Sequence, residues 1–188
     1  LIGYYMSNDQ KDKAELVLAK YEKRVDDMLE KFPENANYYA FKAAAYGFKI
    51  VLSPWKAPVY SFYHQSHVDK GIKYRKNEIL PLIEQANSYY FRPSFIGGNK
   101  KKALELYQKA NSLLTLQNNC SWVYLSNSAW LGQVYTKMEY PEKAKQLYLK
   151  LLEQHPNFLY VKDELLPQLE RGEFNDFYGR FEKSLKGN

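Results

Sequence analysis

Apolar residues recur along this chain every three or four positions, the spacing of helices that bury one stripe and leave the rest to water. From about Asp9 to Lys31 the stripe is Ala14, Leu16, Val17, Leu18, Tyr21, Val25, Met28 and Leu29, and Phe32-Pro33 stops it. A second helix is predicted from about Glu34 to Leu52, through the small-residue run Ala43-Ala44-Ala45 and Gly47, ending at Ser53-Pro54. A third spans about Tyr60 to Arg75. A fourth spans about Glu78 to Phe91, with Pro81 tolerable only in its first turn. After the segment RPSFIGG, Asn99 is placed to cap a fifth helix from Lys100 to about Leu114. A sixth and a seventh cover about Ser121 to Met138 and Pro141 to Gln154. Phe158–Leu166 and Pro167–Arg171 read as a helix interrupted at Pro167, and Phe174–Leu185 as a last amphipathic helix. There are no strand pairs, no Asn-Gly hairpin turns and no low-complexity tract, so the expected class is all-α.

The sixth and seventh helices carry more than a period. Gly132 and Ala144 are small where two helices would approach closely, and Tyr135 and Tyr148 are large beside them. Tyr140-Pro141 suits the turn between them, since proline's missing N–H costs little at a first helical position. His155-Pro156 ends the pair, because a residue before proline avoids the helical region. Leu131-Gly132, Tyr135, Ala144, Tyr148, Leu151 and Pro156 together resemble one tetratricopeptide repeat, whose pattern is (W)-x2-L-G-x2-Y, then A-x3-F-x2-A, then P. Ser128 stands where that family has a large aromatic, with Trp130 two residues on.

Weaker copies of the second half of the pattern lie upstream. Ala103, Tyr107 and Ala110 match, with Thr115 for the proline. His64, Val68 and Gly71 hold the spacing, and Tyr21, Val25, Met28 and Pro33 suggest a still earlier one. The copies are spaced by roughly 40 residues rather than the family's usual 34. The excess is assigned to two Pro-, Gly- and Ser-rich stretches, Ser53–Pro58 and Arg92–Gly98, read as extended loops within repeats. The resemblance implies a right-handed helix-turn-helix solenoid of about three degenerate repeats in one domain, 1–188. The repeats fall at about 35–76, 78–115 and 120–156, after an extra N-terminal helix and before capping helices over 158–186.

Three further segments, YYAFKAAAYGFKIVLSPWKAP (38–58), YYFRPSFIGGNKKKALELYQKA (89–110) and VKDELLPQL (161–169), resemble secreted or periplasmic bacterial repeat proteins with few assigned activities. More distantly, the layout is similar to the tetratricopeptide component associated with TRAP transporters. These resemblances imply an extracytoplasmic setting, reached through an N-terminal signal absent from this sequence. They imply no catalytic residue.

Composition narrows this only a little. The net charge is +6, but 27 basic residues are interleaved with 21 acidic ones, as on solvated helix faces, so no nucleic-acid partner is expected. There is no long apolar run, so no membrane span is expected. The lone Cys120 has no internal disulfide partner.

Candidate chemistry is sparse. Gly97-Gly98-Asn99-Lys100 lacks the Gly-Lys-Ser/Thr ending of a phosphate loop and reads as a turn feeding a cap. His64 and His67, three apart on a helix, could face one metal, but no third ligand is evident and His64 holds a packing position. No serine lies in a nucleophile motif, so neither catalysis, cofactor nor metal is expected. Aromatics are the stronger lead: 16% of residues, 18 of them tyrosine. Most would be core knobs. The repeat register puts Asn37, Phe41, Phe48, Glu84, Asn87, Tyr90, Ser126, Trp130, Gln133 and Lys137 on the inner face, Asn87 and Gln133 at equivalent offsets. Two readings follow. One is a non-enzymatic module binding a protein or peptide partner there, with rings supplying contact area and amides fixing register. The other is a carrier of a small apolar ligand in an aromatic-lined pocket.

Overall fold

The chain is helical throughout the residues that the computed structural model describes, 1–117 and 121–173, and no strand occurs among them. It divides into two compact units, Leu1–Gly98 and Asn99–Asn188. The division falls within the expected middle repeat, after the RPSFIGG segment.

The first unit contains α1 (Ile2–Ser7), α2 (Lys11–Lys31), α3 (Ala36–Leu52), α4 (Ala57–Tyr74) and α5 (Ile79–Phe91). Helix α3 is its centre, and α2, α4 and α5 all pack on it. It starts at Asn35, whose side chain accepts the Asn37 N–H at 3.0 Å, and ends before Pro54. Ala36, Ala40, Ala43 and Ala45 are buried, so the neighbouring helices can come close. Gly71 on α4 marks a close approach to both α3 and α5. A Cβ there would lie 3.1 Å from the Ala36 carbonyl oxygen and 3.2 Å from Pro81 Cγ. Pro81 itself is buried in the first turn of α5, where it interrupts no helical hydrogen bond.

The second unit contains α6 (Lys100–Gln117), α7 (Trp122–Lys137), α8 (Pro141–Gln154) and α9 (Leu166–Glu170). Asn99 caps α6 by accepting the Lys102 N–H at 3.0 Å, and Ser121 caps α7 by accepting the Tyr124 N–H at 3.1 Å. Helix α7 packs against both α6 and α8. The small/large pair expected from the sequence meets at that second contact. A Cβ on Gly132 would overlap the Tyr148 ring, which is 1% exposed. Ala144, Tyr148 and Leu151 on α8 are buried, as are Ala103, Tyr107 and Ala110 on α6 and His64, Val68 and Gly71 on α4.

Several boundaries differ from the sequence expectation, each for a local reason. Ser53–Pro58 is not an extended loop: Pro54–Lys56 form a 3-10 turn and α4 begins at Ala57, with Pro58 in its first turn. Proline's fixed φ suits both positions. The segment before Asp9 forms α1, whose Ile2 joins Ala14, Leu18 and Ala45 in a small core. Near the end, Tyr160–Leu165 is a π-helix that runs directly into α9, so Pro167 does not break the helix. Proline cannot donate to the preceding turn and its ring crowds it, and the wider turn relieves both. The predicted helix Phe174–Leu185 and Cys120 lie outside the described residues.

Candidate functional site

Two stripes of the first unit meet along one seam. On α3, Tyr39, Lys42, Tyr46 and Lys49 are spaced three and four apart and so share a face; on α4, Tyr60, Tyr63, His67 and Tyr74 do the same. The rings form a continuous column. Tyr74 stacks on Tyr39 at 5.5 Å, Tyr39 lies 6.4 Å from His67, and Tyr46 stacks on both His67 (5.4 Å) and Tyr63 (5.3 Å). Lys49 sits over the Tyr46 and Tyr60 rings at 5.0 and 5.8 Å.

Helix α2 closes the seam with carboxylates. Glu22 takes Lys49 at 2.7 Å and Lys42 at 3.4 Å, and Asp26 takes Lys42 at 2.7 Å. Lys42 is 9% exposed. Burial alone would lower its pKa, but the hydrogen bond and charge of Asp26, then the charge of Glu22, hold it above the usual lysine value. His67 moves the other way. Burial lowers its pKa first, Lys70 and Lys42 add to this, and the Tyr63 carbonyl and Asp26 only partly oppose it. Its Nδ1–H donates to that carbonyl at 2.7 Å, so at neutral pH it is an uncharged ring between two tyrosines. The spacing of these residues was readable in the sequence, but nothing there marked Lys42 as buried.

The two histidines do not converge on a metal. His64 faces Glu84 instead, Nε2 to Oε2 at 3.2 Å, with both side chains nearly buried. No cluster of three or more His, Cys, Asp or Glu with metal-binding placement occurs among the described residues. Tyr21 donates to the Phe41 carbonyl at 3.0 Å. Burial, and secondarily the negative Glu84, raise the pKa of its hydroxyl strongly, so it remains a neutral donor.

The inner-face residues named from the register fall into distinct settings. Phe41 is 37% exposed beside Tyr38, 6.4 Å between rings. Asn37 donates through Nδ2 to Glu78 at 3.2 Å. Glu84 is engaged by His64, Asn87 is half-buried, and Tyr90 is buried edge-on to Phe91 at 4.8 Å. Phe48 packs on the Ile2, Ala14, Leu18 and Ala45 core. In the second unit, Ser126, Trp130 and Lys137 are half-buried and Gln133 is buried. Asn37 Oδ1, Asn127 Oδ1 and Gln133 Oε1 are buried acceptors without a hydrogen-bond partner among the described residues. Asn127 uses its other end, with Nδ2 donating to the Tyr107 carbonyl and to Asn111 Oδ1, both at 3.3 Å.

Along α4 lies an open depression of about 390 Å³, lined by Phe62, Gln65, Ser66, Asp69, Lys70 and Lys73. Its lining is one ring and five polar or charged residues. No described helix is long and apolar enough to cross a membrane. No protein-family model matches this chain, and no curated protein matches it either.

Proposed function

We propose that the chain is a non-catalytic binding module whose helix pairs are degenerate tetratricopeptide-like repeats, and that it engages an extended peptide segment of a partner protein on the inner helices. The repeat reading draws support from three helices that bury the same i, i+4, i+7 positions, and from the Gly132–Tyr148 contact. The binding reading rests on one observation. Asn37 in the first unit, and separately Gln133 in the second, hold amide oxygens away from water without a donor among the described residues. A buried acceptor without a partner costs about 1–3 kcal/mol, so it needs a reason to be retained. A peptide N–H can supply the donor to Asn37 once its side chain turns outward, and Phe41 adds exposed ring area beside it in the same unit.

A photo-crosslinking side chain at Phe41 tests this directly. In extract from the native source, it should give a defined protein adduct that the same group at exposed Leu149 does not. Identical adduct patterns at the two positions would rule the reading out. With the partner identified, Asn37→Leu should weaken binding roughly tenfold, the effect of one hydrogen bond in a desolvated interface.

A further inference from the structure

The first unit ends in a cluster of apolar side chains that stand clear of the protein. Trp55 is 78% exposed, Val59 55%, Phe62 71%, Phe95 87% and Ile96 51%. Three segments present them: the 3-10 turn Pro54–Lys56, the start of α4, and the Arg92–Gly98 segment.

Side-chain hydrogen bonds link α4 to the end of α5. Gln65, one turn beyond Phe62, accepts from Ser88 Oγ at 2.6 Å and from Arg92 Nη2 at 2.8 Å. Arg92 Nη2 also donates to Ser88 Oγ at 2.7 Å. The end of α5 is thereby fixed beside the start of α4. The segment that follows folds on itself: the N–H groups of Ile96 and Gly98 both donate to the Pro93 carbonyl, at 3.1 and 3.0 Å. Gly97 supplies a φ of 96° that other residues rarely adopt. Gly98 lies so close to Arg92 that a Cβ would overlap its carbonyl. Phe95 and Ile96 are therefore presented on an ordered turn, and little entropy remains to be lost when they bind.

Charge indicates what they meet. No Asp or Glu occurs between Glu34 and Asp69, or between Glu84 and Glu105. Lys56 lies over the Trp55 ring at 4.6 Å. Asp12 and Glu15 at this end of the unit belong to α2, which packs on α3, and Asp9 lies in the turn before it. Asp69, the carboxylate nearest Phe62 in sequence, is held by Gln65 Nε2 at 2.7 Å and shares its depression with Lys70 and Lys73. Projecting Trp and Phe rings with a lysine at the indole suit a surface that is apolar beneath and anionic above. That is the interface of an acidic lipid bilayer.

We propose that Trp55, Val59, Phe62, Phe95 and Ile96 form a peripheral membrane anchor that inserts into the headgroup region of anionic bilayers, with Lys56 at the lipid phosphates. The chain rests on the bilayer without crossing it.

The test is co-sedimentation of the purified chain with phosphatidylcholine vesicles, with and without a quarter of phosphatidylglycerol. Binding should favour the anionic vesicles by at least about fivefold, the weight of one lysine near such a surface. Tryptophan emission should shift to the blue. W55A/F62A/F95A should lose at least about tenfold in binding, and Phe95→Ser alone, at the most exposed of these rings, should lose severalfold with an unchanged melting temperature. Phe32→Ala, elsewhere on the same unit, should bind normally. The proposal is overturned if neither vesicle binds, or if the triple variant binds as well as the parent. It is also overturned if sedimentation velocity shows a dimer that Phe95→Ser dissociates, since the cluster then serves a second copy of the chain.

Discussion

Replacing Gly132 by alanine sets two known effects against each other. In a mid-helix position alanine is favoured over glycine by about 1 kcal/mol, so the change ought to stabilise α7. Here the new methyl would overlap Cε1 and Cζ of Tyr148 and lie 2.6 Å from its Oη. The ring is 1% exposed and Ala144 and Leu151 beside it are fully buried, so it has no vacant space to enter. Either the helices part, at the roughly 1–3 kcal/mol typical of overpacking, or the ring leaves, at the roughly 3–5 kcal/mol of a lost buried aromatic. The cheaper route, offset by the helix gain, should leave a net loss of up to about 2 kcal/mol. Urea unfolding of a Trp55→Phe background would measure it, because the remaining tryptophans, Trp122 and Trp130, both report on the second unit. A further Tyr148→Leu change should make Gly132→Ala neutral or better, a coupling of at least 1 kcal/mol. A Gly132→Ala protein with a higher midpoint would show that the close contact does not hold the pair together.

Other consequences can be checked as simply. His67 has a folded pKa below its unfolded value, so the unfolded chain binds the extra proton first. The stability it confers is complete above pH 6.5 and is lost as pH falls from there towards the depressed value, and His67→Phe should flatten this part of the pH profile relative to the parent. Lys42→Met should cost under about 2 kcal/mol, because Glu22 keeps Lys49 and Asp26 is 56% exposed; adding Lys49→Met strands the 15%-exposed Glu22, and the pair should cost about 3–5 kcal/mol, more than the two separate losses. Ser121→Ala removes the cap of α7 and should lower stability by about 1 kcal/mol in the same tryptophan-reported urea assay.

Much of the helical layout was legible because it is written in local chemistry. Asn99, Ser121, Pro141 and His155 act at helix ends through their own backbone or side chain, and the bounds of α8 coincide with the expected ones. The Gly132–Tyr148 contact was legible for a similar reason, since a missing side chain opposite a ring has few other uses. What escaped depends on partners distant in sequence. Nothing near Lys42 reveals that Glu22 and Asp26 will meet it, 20 and 16 positions away. Phe48 reads equally well as an inner-face ring or as core until α1 is known to pack beside it. The aromatic column shows the same limit. The tyrosine spacing on α3 and α4 is plain in the sequence, but whether two stripes face each other depends on how the helices pair.

The π-helical turn at Tyr160–Leu165 has an effect beyond accommodating a proline. A widened turn takes up extra residues, so Leu166–Glu170 are rotated relative to where an unbroken 3.6-residue helix would carry them. Val161 and Leu165 nevertheless stay buried. The segment thus acts as a phase shift in the hydrophobic signal, and a periodicity read across it will report a break where the backbone has none. Deleting one residue there should be tolerated if Pro167 is removed as well, because an ordinary α-helix could then run through.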